Sequence, residues 1–201
     1  MTGWLTLYAR SRRVPVAAAV SFAALALAWT GWSVFTDRPR LEPAFALLTI
    51  LLALAPMIPT LAGDDDALES SAARPWPPRR ALHLLTAGLI VAVPAVASAA
   101  TGASFGPPAE TLRNVAGLTG LIGLGVALAG TRMAWQLPIC WTVAQLIFAG
   151  GDRAKWFFWL VEPTSSRVAT ATAAVLFVAG MLAYAWRVGP RLATAEAALG
   201  Q

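Results

Sequence analysis

Charged residues are scarce in this sequence, and so are the side chains that most often bind metals or form disulfides. Of the 201 residues, only 12% are Asp, Glu, Lys or Arg, about half of the ~25% that soluble domains carry. Cys140 is the one cysteine and His83 the one histidine, which excludes an intrachain disulfide and a thiolate or paired-histidine metal cluster. The sequence contains no H-E-x-x-H, G-x-S-x-G or Walker A pattern. We therefore expect that the chain is not an enzyme by itself and that it holds no metal or cofactor of its own.

Long uncharged runs dominate what is present. Apolar residues make up 58% of the chain. A hydrocarbon core about 30 Å thick needs roughly 20 helical residues, and backbone polar groups in lipid must pair within the helix. The predicted transmembrane helices lie at approximately 14–36, 43–63, 81–103, 112–131, 133–150 and 168–187. The sequence thus predicts an all-α, multi-pass membrane protein with six spans, forming one domain over residues 1–201.

The positions of the basic residues predict the orientation of these spans. Arg10, Arg12 and Arg13 flank the first run, and such residues favour the cytoplasmic side. With an even number of spans, both termini are then cytoplasmic. The net charge of +5 does not indicate nucleic acid, because the arginines flank apolar runs instead of forming one basic face. The basic residues are instead expected to contact the lipids of the anionic cytoplasmic leaflet. The richness in Arg, Ala, Gly and Pro is typical of a bacterial cell membrane protein from a GC-rich genome.

The segment before the first span, residues 2–13, has amphipathic character. Trp4, Leu7 and Tyr8 fall on one helical face, and Arg10 is the first of the arginines that follow. This pattern predicts a short interfacial helix on the cytoplasmic surface. A simple basic flank that sets the topology is the alternative.

The loop between the second and third spans carries the densest charge in the chain. Within residues 64–75, Asp66 and Glu69 have the spacing of a capping box. Asp64 and Asp65 add negative charge at the expected helix N-terminus, Leu68 is the largest apolar side chain, Arg74 lies near the end, and prolines follow. The acidic residues lack the spacing of a metal-binding loop. The pattern predicts a short cytoplasmic helix, either a solvated connector or a docking helix for a soluble partner.

The segment between the fifth and sixth spans, residues 152–163, is too apolar for a solvated loop and too short to span. It contains Trp156, Phe157, Phe158 and Trp159 and ends at Pro163. We expect a short re-entrant helix at the extracellular interface. An ordinary aromatic belt is the alternative.

The interiors of the predicted spans contain small residues but no Asp, Glu, Lys or Arg. The fourth span has glycines that permit close helix approach, within the subunit or across a dimer: Gly117, Gly120, Gly123 and Gly125. Arg113 and Asn114 lie at the outer end of that span. Transporters driven by protons or sodium bury ionisable groups near the midplane, so this pattern favours an external energy source.

The strings ALESSAARPW, LRNVAGLTGL and AKWFFWLVEP, together with the layout of spans, resemble small actinobacterial permeases of the ABC-2-type ABC transporters. The resemblance covers nearly the whole chain and rests mostly on topology. It implies an N-terminal amphipathic helix at 2–13, a coupling helix at 64–75 that docks on an ATPase, and an extracellular re-entrant helix at 152–163.

The resemblance implies the permease subunit of an ATP-driven exporter for a lipid-like, peptide or hydrophobic small-molecule cargo. ATP and magnesium would bind to the partner ABC ATPase subunit, and a second permease would complete a homodimer or a pair of homologues. The coupling role would fall on residues 64–74. A non-transport membrane scaffold or accessory subunit is the alternative.

Overall fold

A computed structural model describes residues 12–62, 77–148 and 155–186. These residues form a helical bundle, in which the one β-contact is an isolated bridge between Arg40 and Ser104. The helices are α1 (Val14–Phe35), α2 (Pro43–Leu54), α3 (Pro77–Ala97), α4 (Pro108–Ala129), α5 (Gln136–Phe148) and α6 (Arg167–Ala185). Single 3-10 turns follow α2 at Ala55–Met57 and Pro59–Leu61, and follow α3 at Ser98–Ala100. The all-α prediction is confirmed for this part of the chain.

Two of the predicted segments lie outside the described residues. One is the interfacial helix with Trp4, Leu7, Tyr8 and Arg10. The other is the charged loop helix, with Asp64, Asp65, Asp66, Leu68, Glu69 and Arg74. Both stay predictions.

Five helical stretches are long and apolar enough to cross a membrane: Val14–Phe35, Pro43–Leu61, Pro77–Ala100, Pro108–Ala129 and Arg167–Ala185. The structure corrects the fifth predicted span, 133–150. Helix α5 begins at Gln136, because Gly130 adopts a positive φ of 80° at the end of α4 and residues 131–135 form turns. Its 13 described helical residues extend about 20 Å, which is shorter than a hydrocarbon core of about 30 Å.

Local sequence explains where the helices begin. Glu42 precedes α2, and its Oε2 accepts a hydrogen bond from the Phe45 amide at 3.1 Å. Ser166 accepts from the Ala169 amide at the start of α6, at 3.4 Å. Proline occupies the first turn of α1, α2 and α4, where its missing N–H leaves no helical bond unmade.

Helix α4 lies at the centre of the bundle, and its glycines make this possible. A side chain at Gly120 would collide with the backbone of α6 at Leu176 and Phe177, and one at Gly180 would collide with the Gly120 backbone. The predicted close helix approach is therefore confirmed, and it occurs within the subunit. The burial of Leu118, Leu121 and Val126, each at most 1% exposed, makes α4 the main apolar wall of the core.

The direction of α4 matches that of α6. Arg113, near the start of α4, contacts Glu162 and Pro163 just before α6, whereas Gly123 further along contacts Gly180. The two helices are thus parallel. The chain that connects α4 to α6 must therefore return to the Arg113 end, and α5 lies on this return path.

The bundle has two ends, which we name after two buried arginines. At the Arg12 end, the side chain of Arg12 donates to the Ala62 carbonyl at 3.0 Å, and Tyr184 Oη donates to the Leu61 carbonyl at 3.0 Å. The first and last described helices therefore meet at one end. At the opposite, Arg113 end, the Leu41 amide donates to the Ser104 carbonyl at 2.9 Å and joins the two loops there.

The outer surface of the bundle is apolar. Leu27, Val34 and Phe35 on α1 are 74%, 69% and 86% exposed. Similar side chains lie on the outside of the other long helices, including Leu52, Val93 and Leu128. A solvated surface would not expose such a continuous apolar area, whereas a lipid-facing surface requires it.

Candidate functional site

The segment that connects α5 to α6 closes the Arg113 end of the bundle. We call residues 155–166 the cap segment. Sequence reasoning predicted a short helix within it, but the described residues form consecutive turns and bends. The expected re-entrant helix is thus corrected to a non-helical apolar segment over its described part, and the reason lies in its backbone hydrogen bonds.

Side chains from α4 and α5 satisfy the backbone of the cap segment. Arg113 Nη2 donates to the Glu162 carbonyl, at 2.6 Å, and Nη1 donates to the Pro163 carbonyl, at 3.1 Å. Asn114 Nδ2 donates to the Leu160 carbonyl at 3.3 Å. Because these groups occupy the carbonyls that a helix would use internally, the chain needs no helical turn there. Irregular backbone at membrane depth is tolerated where protein buries it.

An amide side chain on α5 completes this anchoring from the other side. Gln145 Oε1 accepts a hydrogen bond from the Leu160 amide at 2.9 Å, and Gln145 is fully buried. Trp141 Nε1, one turn earlier on α5, donates to the Phe157 carbonyl at 3.3 Å. Leu160 therefore has its amide bonded to α5 and its carbonyl bonded to α4. The cap segment is held between the two helices.

Trp159 is the apolar anchor of the cap segment. It is fully buried, and its ring lies so close to Gly117 that a side chain at that position would occupy the same space. Its indole N–H has no partner among the described residues. The ring therefore occupies this position because α4 is thin there, and van der Waals contact provides the attraction.

The other three aromatic residues of the cap segment form a chain of ring contacts. Phe157 lies 5.0 Å from Trp141 and 5.0 Å from Phe158 between ring centroids, and Trp156 contacts Phe157 at 6.0 Å. Trp156 itself is 58% exposed. The structure thus divides the predicted aromatic set into a buried anchor, Trp159, and an outer layer typical of a membrane interface.

A cavity lies beside the cap segment. Its volume is about 190 Å³, and it is bounded by the starts of α2 and α4, the loop before α4, and residues Leu160 and Val161. Three polar side chains at this cavity belong to α4: Glu110, Thr111 and Asn114. Arg40 approaches from the loop before α2, and the remaining wall is mainly aliphatic. The combination of an apolar wall with a few polar groups is typical of ligand sites.

A second polar cluster lies at the Arg12 end. His83 Nε2 and Thr60 Oγ1 are 3.0 Å apart, and Thr60 Oγ1 also donates to the Met57 carbonyl at 2.6 Å. Since the single hydroxyl proton is used there, His83 Nε2 is the donor to Thr60. The lone histidine is therefore a hydrogen-bonded residue that connects α3 to the end of α2.

An apolar groove of about 440 Å³ runs between α4 and α5 on the outside of the bundle. Leu128, Met133, Leu137 and Phe157 are among its lining residues, and the exposed Cys140 also faces it. The groove begins at the turns after α4 and reaches the cap segment. It offers an apolar path along part of the surface of α4.

Several residues of the site are not predicted from the sequence. The sequence indicates Arg113 and Asn114 only as polar residues at a helix end, and it does not single out Gln145, Glu110 or Arg40. The sequence does offer one signal for this site, which is the amide side chain of Gln145 within an apolar run. A polar side chain buried in a helical bundle needs a hydrogen-bond partner, so Gln145 predicts a polar contact inside the bundle.

Five long apolar helices with a lipid-compatible outer surface are typical of a multi-pass membrane protein. The candidate site adds a cap segment anchored by Arg113, Asn114 and Gln145. No family model matches the chain, and neither a curated protein nor a solved structure matches it.

Proposed function

We propose that the chain is the permease subunit of an ATP-driven ABC exporter in a bacterial cell membrane. Its cargo is a lipid-like, peptide or hydrophobic small molecule. ATP and Mg²⁺ bind to a separate ATPase subunit, and a second permease, identical or homologous, completes the pathway. The resemblance noted from the sequence suggests this class, and two features of the bundle support it.

The observation that carries the proposal is the convergence of four helices where the predicted docking segment leaves the bundle. In the sequence, the segment at 64–75 begins two residues after Ala62. The Leu61 carbonyl is bonded to Tyr184 of α6, and the Ala62 carbonyl is bonded to Arg12 before α1. Thr60 is bonded to His83 of α3.

This convergence gives a route for mechanical coupling. A push on residues 64–75 by an ATPase reaches the end of α2 through the chain itself. The hydrogen bonds at residues 60–62 then carry the displacement to α1, α3 and α6. A docking segment attached to a single helix would instead move that helix alone.

The parallel direction of α4 and α6 supports an even number of crossings. We propose that α5 and the cap segment together recross the membrane, so that the chain makes six crossings and both termini are cytoplasmic. The Arg12 end then faces the cytoplasm, and the cap segment lies at the extracellular face. The groove along α4 and α5 leads toward this segment, which suits an apolar cargo that leaves on the extracellular side.

The experiment isolates the tagged chain from its native membrane in mild detergent and measures two quantities. These are the amount of co-purified protein that contains a Walker A sequence and the ATP hydrolysis of the complex. The double change Asp66→Ala and Glu69→Ala should lower both by at least about tenfold, because a central interface residue contributes roughly 2 kcal/mol and a loss of about 1.4 kcal/mol already weakens binding tenfold.

The matched control removes two acidic residues from the opposite end of the bundle, with Asp37→Ala and Glu162→Ala, and should leave both quantities unchanged. Retention of a fully active ATPase by the first double variant would refute the docking role. If no Walker A protein accompanies the wild-type chain, the accessory-subunit alternative replaces the exporter.

A further inference from the structure

The cavity at the Arg113 end contains two opposite charges that are not paired with each other. Within the described part of the chain, the side chains of Arg40 and Glu110 make no hydrogen bond and no ion pair. Glu110 nevertheless lies within electrostatic range of Arg113 and of Arg40. Arg40 and Glu110 both line the same cavity of about 190 Å³. An unpaired carboxylate and an unpaired guanidinium at one cavity offer separate positions for a cation and an anion.

A buried hydroxyl gives an independent indication of a ligand. Thr111 lines the cavity, is 2% exposed, and its Oγ1 has no hydrogen-bond partner among the described residues. A buried polar group without a partner is costly to a fold. A polar group of a bound molecule, placed in the cavity, supplies the missing partner.

The rest of the cavity limits what kind of molecule fits. Leu41, Leu47, Ile50 and Phe105 are buried and form an aliphatic and aromatic wall. The volume exceeds the space that a few buried waters need, but it lies below the roughly 300–1,000 Å³ of sites for drug-sized ligands. A small polar head group therefore fits, with an attached apolar chain left outside or along the wall.

We propose that this cavity binds a zwitterionic head group, with its ammonium group at Glu110 and its anionic group at Arg40. Thr111 bonds to the same head group, and the aliphatic wall contacts its methylene groups. The neighbouring charge of Arg113 is already directed to the carbonyls of Glu162 and Pro163. Arg40 is therefore the guanidinium whose N–H groups are available to hydrogen-bond the ligand. This inference does not depend on the exporter proposal, since the site lies within the isolated subunit.

The test uses the purified full chain in detergent and follows the thermal unfolding midpoint against ligand concentration. The soluble probes are phosphoethanolamine, which carries both charges, and its two halves, ethanolamine and inorganic phosphate. A site that needs both charges should bind phosphoethanolamine about tenfold more tightly than either half, since one charged hydrogen bond is worth roughly that factor. A second arm uses native mass spectrometry to compare retained phosphatidylethanolamine with retained phosphatidylglycerol.

Matched variants separate the cavity from general surface charge. Glu110→Gln and Arg40→Gln should each weaken binding by about tenfold, and Thr111→Val, which keeps the volume, should weaken it by about threefold to tenfold. Glu162→Gln and Arg38→Gln change the same charges outside the cavity and should not alter binding.

The two probe arms distinguish the source of the head group. Preferential retention of phosphatidylethanolamine identifies a membrane lipid as the source, and binding of phosphoethanolamine alone identifies a soluble zwitterion. The proposal is overturned if the wild-type chain binds neither phosphoethanolamine nor phosphatidylethanolamine. It is also overturned if ethanolamine or phosphate binds as tightly as phosphoethanolamine. These comparisons use the wild-type chain and remain decisive if a variant fails to fold.

Discussion

The indole ring of Trp159 occupies the space that a side chain at Gly117 would fill. This contact joins the cap segment to the central helix of the bundle and explains why a tryptophan in a short apolar turn is fully buried. The cap segment is thus held by this apolar contact, by the contact of Phe157 with Trp141, and by several side-chain hydrogen bonds, and each can be tested separately.

The glycine in this contact should tolerate no larger residue. Gly117→Leu places its side chain in the space of the Trp159 ring, and such overpacking costs about 1–3 kcal/mol. The measurement is thermal unfolding of the purified protein, followed by tryptophan fluorescence. Gly31→Ala on α1, where a methyl group meets open space, is the control and should not destabilise the protein. Equal stability of both variants would contradict the packing of the Trp159 ring against Gly117.

The guanidinium of Arg113 should be irreplaceable by another cation. Its two nitrogens reach two different carbonyls, and a lysine ammonium on a flexible stem cannot reproduce this fork. Arg113→Lys should destabilise the protein by about 1–3 kcal/mol and speed amide hydrogen exchange across residues 155–166. Arg167→Lys, at an exposed position on α6, serves as the comparison. Unchanged amide hydrogen exchange across residues 155–166 in Arg113→Lys would show that Arg113 does not anchor the cap segment.

The buried side-chain amide of Gln145 should protect the backbone amide of Leu160 from hydrogen exchange. Gln145→Leu leaves the Leu160 amide buried without an acceptor, which costs about 1–3 kcal/mol. Hydrogen exchange resolved to the Leu160 amide should accelerate in this variant. Gln136→Leu, at an exposed position on the same helix, should leave that amide protected. If both variants exchange alike, the hydrogen bond from α5 does not hold the cap segment.

The return of the chain through α5 predicts a definite pattern of surface labelling. In a Cys140→Ser background, cysteines introduced at Asp37, Gly102 and Thr164 lie at the Arg113 end and should react together with a membrane-impermeant maleimide in intact cells. A cysteine at Arg132 lies beyond the other end of α4 and should react only after the membrane is opened. Labelling of positions 132 and 164 from the same side would refute the recrossing.

The long apolar helices could be predicted from sequence because their signal is local. A run without charge fixes both the helix and its environment, and the glycines of the fourth span correctly indicated close approach to another helix. The structure adds only that this helix is α6 and that it belongs to the same subunit.

The cap segment could not be predicted in the same way. Its aromatic residues are typical of a short interfacial helix. Nothing local shows that Arg113, Asn114 and Gln145 bond its backbone from positions between 15 and 50 residues earlier. The start of α5 was misplaced for a related reason, because the turns at 131–135 follow a run that is uniformly apolar. The cavity with Arg40 and Glu110 depends on three segments meeting, which no single stretch of sequence reveals.

The direct contact between the backbones of α4 and α6 at Gly120 and Gly180 has a mechanical consequence. Gly120 and Gly180 bring the two main chains into direct contact, so neither helix can slide past the other without a collision of peptide groups. Helices α4 and α6 should therefore move together as one rigid unit. Any rocking motion must therefore occur at the contacts of this pair with the other helices.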